Sequence, residues 1–216
     1  MNIGLLGGTF DPIHLGHVDV ARAAHRVLAL DQVWIVPART PPHRHHPVAS
    51  AAHRFAMATL AIADEPSMRV SDVEMDQVGP SYTIDTFDRL GVGTGSGHRF
   101  VFISGADAFK DIPSWKAYPA ILDRCHFAVV SRPGLPCHAL PQLLPDLASR
   151  MLETPCPFPL NPSIFLVDVP TAAVSSTNVR HALAAHRPLD GLVPPPVAAH
   201  ISRHGLYQEP TEHTHR

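Results

Sequence analysis

The chain has 216 residues, 45% of them hydrophobic and 17% charged, with a formal net charge of -2. That length suits one domain with a substantial core, and the composition is that of a globular chain rather than a disordered one. The charge balance speaks against a nucleic-acid partner, which calls for a basic face, yet it permits a small anion held by a local cluster of positive groups.

The predicted elements alternate between strand and helix. Asn2–Gly7 is a short apolar run that stops at a double glycine, as a buried parallel strand would. Leu15–Leu28 carries apolar residues at helical spacing. Val33–Val36 is a second buried strand closed by Pro37, and Ser50 is placed to cap a helix over 51–63 whose larger apolar groups are Phe55, Met57, Leu60 and Ile62. A strand over Met68–Val73, a helix from Thr83 to Leu90 and the strongest strand, Phe100–Ser104, follow. Beyond these the pattern predicts a helix near Tyr118–Asp123, a strand over Phe127–Ser131 and an amphipathic helix over about 140–151 between proline-rich flanks. The last strand is Ile164–Val169, and two helices, near Thr177–Ala185 and Pro195–His204, precede a polar tail.

Strands separated by helices over this length imply βαβ units. The expected fold is α/β: a doubly wound, mostly parallel open sheet with helices on both faces, forming one domain over 1–208 with a polar tail over 209–216. Ligands bind such sheets beyond the carboxyl ends of the strands, near the point where strand order reverses. The chemistry should therefore lie at the ends of the first, fourth and last strands.

Cys125, Cys137 and Cys156 are odd in number, far apart and form no CxxC pair, so neither a zinc ribbon nor a disulfide framework is expected. They read as idle thiols of a reducing compartment. The N-terminus lacks a basic region, and no run approaches about 18 apolar residues. The expectation is a cytoplasmic protein with no membrane partner; a homo-oligomer is left open. His43, His45 and His46 read as a loop beside a phosphate site rather than a metal site, and no protein-held metal is expected.

GGTFDPIHLGH, over 7–17, joins the first strand to the first helix. Gly7 and Gly8 let the backbone turn sharply and approach a ligand. A helix starting near Leu15 leaves N–H groups and a positive dipole end facing the pocket, which suits phosphate. His14 and His17 straddle Gly16, whose missing side chain leaves space for a nucleotide, and their imidazoles can donate to phosphate oxygens. At roughly one in twenty per residue type, a match of Gly8, Phe10, Asp11, Pro12, His14, Gly16 and His17 arises by chance about once in a billion start sites. A second segment, VSSTNVR over 174–180, follows the last strand. Ser176 or Thr177 can cap the helix there, and Arg180, read as lying on its first turn, can bind phosphate oxygens in bidentate fashion.

Here the chain resembles the nucleotidyltransferase superfamily, whose signatures are a GxFDPxHxGH loop and an ISSTxIR element. The resemblance implies His14, His17 and Arg180 as catalytic residues, with Gly7, Gly8, Thr9, Phe10, Gly16, Asp107, Ser175, Ser176 and Thr177 at ATP. Four further segments resemble nicotinate-nucleotide adenylyltransferases: PARTPPHR (37–44), SYTIDT (81–86), ISGADAFKDIPSW (103–115) and HISRHGLY (200–207). Ser104, Phe109 and Ile112 depart from that family's usual residues, and beyond SRPG (131–134) the proline-rich stretch is hard to align.

The resemblance implies adenylyl transfer from ATP to nicotinate mononucleotide, giving deamido-NAD and pyrophosphate, with Mg2+ accompanying ATP. Arg44 would meet the mononucleotide phosphate, backbone N–H groups at Tyr82 and Thr83 would hold the ring carboxylate, and Trp115 would stack on the ring or serve as a core aromatic. Asp107 would accept from ribose hydroxyls or cap a helix. Nicotinamide mononucleotide and phosphopantetheine stand as alternative acceptors, and a non-catalytic nucleotide sensor as a reading of another class.

Overall fold

A computed structural model describes residues 1–42, 46–94 and 97–208. Seven strands form one sheet, and every pairing in it is parallel: β1 (Asn2–Gly8), β2 (Gln32–Pro37), β3 (Met68–Val70), β4 (Arg99–Gly105), β5 (His126–Val130), β6 (Met151–Glu153) and β7 (Ile164–Val167). Their order across the sheet is β3-β2-β1-β4-β5-β7-β6. The chain winds outward from β1 to β3, then returns to β4 and winds the other way, so the reversal falls between β1 and β4.

The central strands bury both faces, and the period of two explains how. Ile3, Leu5, Phe100, Phe102, Phe127, Val129, Ile164 and Leu166 face one core; Leu6, Val101, Ile103, Ala128, Val130, Phe165 and Val167 face the other. A strand covered on both sides reads as a continuous apolar run, which is why the four central strands were legible. Helices α1 (Leu15–Val27), α2 (Ala51–Ala61), α6 (Ser176–Ala184) and α7 (Pro195–Arg203) cover the second face, and α3 (Thr83–Leu90) with the segment over 112–123 covers the first.

Ser50 caps α2 as expected, accepting from the His53 N–H at 3.3 Å. The inward face of α2 is built from Arg54, Met57, Ala58 and Ala61, and Phe55 is half-buried. The stretch over 140–151 is not one helix. After a 3-10 turn (Cys137–Ala139) it breaks into the short α5 (Leu140–Leu143), a second 3-10 segment (Pro145–Arg150) and the start of the edge strand β6. Pro145 supplies no N–H and disfavours helical backbone at Leu144, which the amphipathic pattern alone concealed. The helix expected near Tyr118–Asp123 is a 3-10 turn over Ala120–Asp123, and a further short helix, α4 (Ala106–Phe109), directly follows β4. Cys125, Cys137 and Cys156 are free thiols, and burial pushes Cys125 up to about 12, leaving it inert as a nucleophile.

Candidate active site

The loop after β1 is fixed by its own side chains. Phe10 adopts a positive φ of 52° and is buried, with its ring folded back so that a Cβ on Gly8 would lie 2.8 Å from it. Gly8 is thus required by Phe10. Phe10 props the loop from beneath and meets the His17 ring edge-on at 4.9 Å. The buried Asp11 carboxylate accepts from the N–H groups of Val48 (2.8 Å) and Ala49 (3.1 Å) and from the Tyr207 hydroxyl (2.8 Å). Burial and the facing Asp11 push the Tyr207 phenol upward, so it stays a neutral donor.

Arg54, 1% exposed, completes this scaffold. Its guanidinium donates to the carbonyls of Thr9 (2.7 Å), Ala38 (2.6 Å), Arg39 (2.9 Å) and Ala49 (3.2 Å), tying the loops after β1 and β2 to the start of α2. The sequence reading missed it, because an arginine in a helix reads as surface. The available signal was its place in register with Met57 and Ala61 on the apolar face.

His14 occupies the cap position of α1 and is 2% exposed. Burial, aided by the Arg132 charge, holds its imidazole down at about 3, so it is neutral at pH 7. It stacks on His17 with ring centroids 3.6 Å apart, and its backbone N–H donates to His17 Nδ1 at 3.3 Å. A neutral His17 that accepts at Nδ1 carries its proton on Nε2. His14 Nδ1 is buried with no partner among the described residues. The α1 N-terminus offers fewer N–H groups than expected: Leu15 N–H donates to the Leu192 carbonyl (3.0 Å) and His17 N–H to His14 (2.9 Å).

Arg132, the second residue of SRPG, lies at the centre of this cluster. It donates to the carbonyls of Gly16 (3.2 Å) and Val174 (3.0 Å), and its Nε lies 4.0 Å from the Asp107 carboxylate. A Cβ on Gly16 would lie 2.8 Å from Arg132 Nη1, so the glycine leaves room for this arginine. The chain had no periodic or spacing signal for Arg132 beyond its place just after β5.

The second motif meets the first. Ser175, not Ser176 or Thr177, caps α6 by accepting from the Asn178 N–H at 3.1 Å. Ser176 Oγ instead donates to the Pro12 carbonyl at 2.9 Å. Arg180 is the fifth residue of α6, on its second turn rather than its first; it donates to the Asp11 carbonyl at 2.5 Å and to Thr177 Oγ at 3.4 Å. Segments separated by more than 160 residues thus share one edge of the sheet.

Beside this cluster a cavity of about 770 Å3 opens at the carboxyl ends of β1 and β4. Gly7, Gly8, Thr9 and Asp107 line it together with Tyr82, Thr83 and Trp115. Trp115 is half-buried and packs at right angles on Phe102 at 5.8 Å, so it is anchored to the core while open to the cavity. Tyr82 precedes α3, which has no side-chain cap. Asp107 is exposed; it is not a cap, since Gly105 holds that place before α4. Lys110 and Lys116 also line the cavity, and Lys116 lies 4.6 Å over the Tyr82 ring while pairing with Asp85 at 2.8 Å. Arg44 lies outside the described residues, as do His43 and His45 and the tail from Glu209. Among the described residues no helix is long and apolar enough to cross a membrane.

The geometry has close counterparts among known proteins. Residues 5–182 match the model of the cytidylyltransferase-like family. Probable nicotinate-nucleotide adenylyltransferases from Roseiflexus sp. and Thermus thermophilus are 40% and 39% identical to the chain, over 95% and 96% of it and 98% and 100% of their own length. That of Moorella thermoacetica is 38% identical over 95% of this chain and 91% of its own. A solved structure of the Plasmodium falciparum nicotinic acid mononucleotide adenylyltransferase complexed with NaAD shares the fold, with a TM-score of 0.75 at 20% identity over 95% of this chain and 97% of that one. The chain belongs to the cytidylyltransferase-like family and, within it, to the nicotinate-nucleotide adenylyltransferases.

Proposed function

We propose that the protein transfers the adenylyl group of ATP to nicotinate mononucleotide, releasing pyrophosphate and forming deamido-NAD. The observation that carries this reading is the meeting of the two motifs: Arg180 on the Asp11 carbonyl and Ser176 on the Pro12 carbonyl bring α6 against the loop that holds His14 and His17. The close relatives named for this activity support the acceptor, as does a cavity wall made of Tyr82, Thr83 and Trp115.

The acceptor phosphate is already an anionic nucleophile at neutral pH, so the reaction needs no general base. It attacks the α-phosphorus of ATP in line, the bond to the β-phosphate oxygen breaks, and pyrophosphate leaves with the electron pair. Catalysis is then alignment and charge stabilisation. His17 Nε2–H donates to the α-phosphate, stiffened by the stacked, neutral His14, and Arg180 holds the departing pyrophosphate with Ser175, Ser176 and Thr177 around the start of α6. Gly7, Gly8 and Thr9 bring backbone close to the nucleotide, and Asp107 accepts from ribose hydroxyls. Around these phosphates the chain presents imidazoles, guanidinium and hydroxyls, a donor set suited to anions, so a Mg2+ ion would come with ATP rather than be held by these side chains, and it would supply charge neutralisation on the triphosphate. At the acceptor end, N–H groups at Tyr82 and Thr83 meet the ring carboxylate, Trp115 covers the ring, and Arg44 meets the phosphate.

A pyrophosphate-release assay with ATP and each of nicotinate mononucleotide, nicotinamide mononucleotide and phosphopantetheine tests the assignment. Fastest turnover with the first is expected; turnover with none of them would overturn the proposal.

A further inference from the structure

Arg132 stands two residues beyond β5, on a base that its own backbone holds. Its N–H donates to the Leu135 carbonyl at 3.1 Å and its carbonyl accepts from the Leu135 N–H at 2.9 Å. Pro133 and Gly134, the latter at a positive φ of 85°, make the turn between them. The stem of the side chain lies against Gly105, where a Cβ would come within 3.0 Å of it. From this base the guanidinium spans two carbonyls, Nη1 on Gly16 and Nη2 on Val174. Gly16 lies between His14 and His17 in the first turn of α1, and Val174 leads into α6 at its cap, Ser175.

The two motifs are therefore fastened on both flanks of the imidazoles. Before His14, Ser176 and Arg180 hold the Pro12 and Asp11 carbonyls; after it, Arg132 holds Gly16. A segment fastened at one end can pivot, whereas one fastened at both keeps its spacing. The place of α1 in the fold does not depend on Arg132, since the Ala172 N–H donates to Asp19 one turn further on at 3.0 Å and Val18, Val20, Ala21 and Ala24 are buried in the core. What the fork sets is the first turn. We propose that Arg132 is a positioning residue for adenylyl transfer: by spanning the Gly16 and Val174 carbonyls it fixes the spacing between the His14–His17 pair and the helix that carries Arg180. It acts through those groups rather than on the nucleotide. The inference rests on the reaction assigned under the proposed function and adds the group that sets its alignment. Lysine, a point donor on a flexible stem, does not reproduce a planar fork across two carbonyls.

Steady-state kinetics of the wild type, Arg132→Met, Arg132→Lys, His17→Ala and the double variant Arg132→Met/His17→Ala test this. A misplacement of about 1 Å costs on the order of a hundredfold in rate, so Arg132→Met is expected to lower kcat by that much while leaving the KM for ATP and for nicotinate mononucleotide within about threefold. Arg132→Lys should turn over within about threefold of Arg132→Met. Because the fork acts through His17, the double variant should be no more than about threefold slower than His17→Ala alone. Multiplicative losses in the double variant would make Arg132 a support independent of His17 and overturn the proposal. So would a rise of about tenfold or more in the KM for ATP, which marks a nucleotide contact, or a lysine variant near wild type, which assigns the role to charge alone. If Arg132→Met does not fold, Arg132→Lys and its combination with His17→Ala carry the same comparison. A wild type with no turnover on ATP and nicotinate mononucleotide would sink the functional assignment itself, whereas a working enzyme whose kcat survives Arg132→Met would sink only this inference.

Discussion

The loop over Gly7–His17 and the cavity wall over Ser81–Trp115 stand at neighbouring strand ends but are built on opposite plans. The loop is internally engaged: Phe10 under Gly8, three donors on Asp11, four carbonyls on Arg54, and His17 Nδ1 on the His14 N–H. The cavity wall is less engaged: α3 has no side-chain cap among the described residues, and Trp115, half-buried, lines the cavity. Rigidity belongs where charge develops in the transition state, and open surface where a substrate is received.

The contrast predicts where mutations act. Arg54→Met should cost about 3–5 kcal/mol in urea unfolding, because the carbonyls it serves lose a buried cation; a cost below about 1 kcal/mol would mean that the loop supports itself. His17→Ala should lower turnover by roughly two to three powers of ten, as removal of one preorganised donor does, with circular dichroism and melting temperature preserved. Near-normal turnover would place the phosphate donor elsewhere. Trp115→Ala should raise the KM for nicotinate mononucleotide on the order of tenfold and leave that for ATP alone, from the loss of aromatic contact. Equal effects on both would erase the division of labour between loop and wall.

A further effect concerns acidity. His14 binds its proton near pH 3 when folded and near 6.5 when unfolded, so the unfolded chain takes up more protons between those values. Its contribution to stability is complete above about pH 6.5 and is lost as pH falls toward 3. The melting temperature should therefore fall more steeply between pH 7 and 4 in the wild type than in His14→Asn, and parallel curves would show that His14 is not neutral in the fold.

What the sequence revealed follows the same division. The central strands were readable because burial on both faces leaves an unbroken apolar run, and His14, His17 and Arg180 because their motifs are dense in rare combinations. The packing neighbours of Gly16 and Phe10 were not readable, since a glycine or an aromatic shows that space is required or filled, never by which neighbour. Arg132 and Arg54 escaped because their partners are backbone carbonyls far away in sequence, and carbonyls leave no trace in residue identity. The single helix expected over 140–151 failed at Pro145, where a period was weighed above a missing N–H.

The four carbonyls gathered by Arg54 have a thermodynamic consequence. A nucleotide entering a loop already held in shape has little chain entropy left to freeze and little apolar surface left to cover. Its docking should show a small heat-capacity change and an association rate set by diffusion and charge rather than by loop rearrangement.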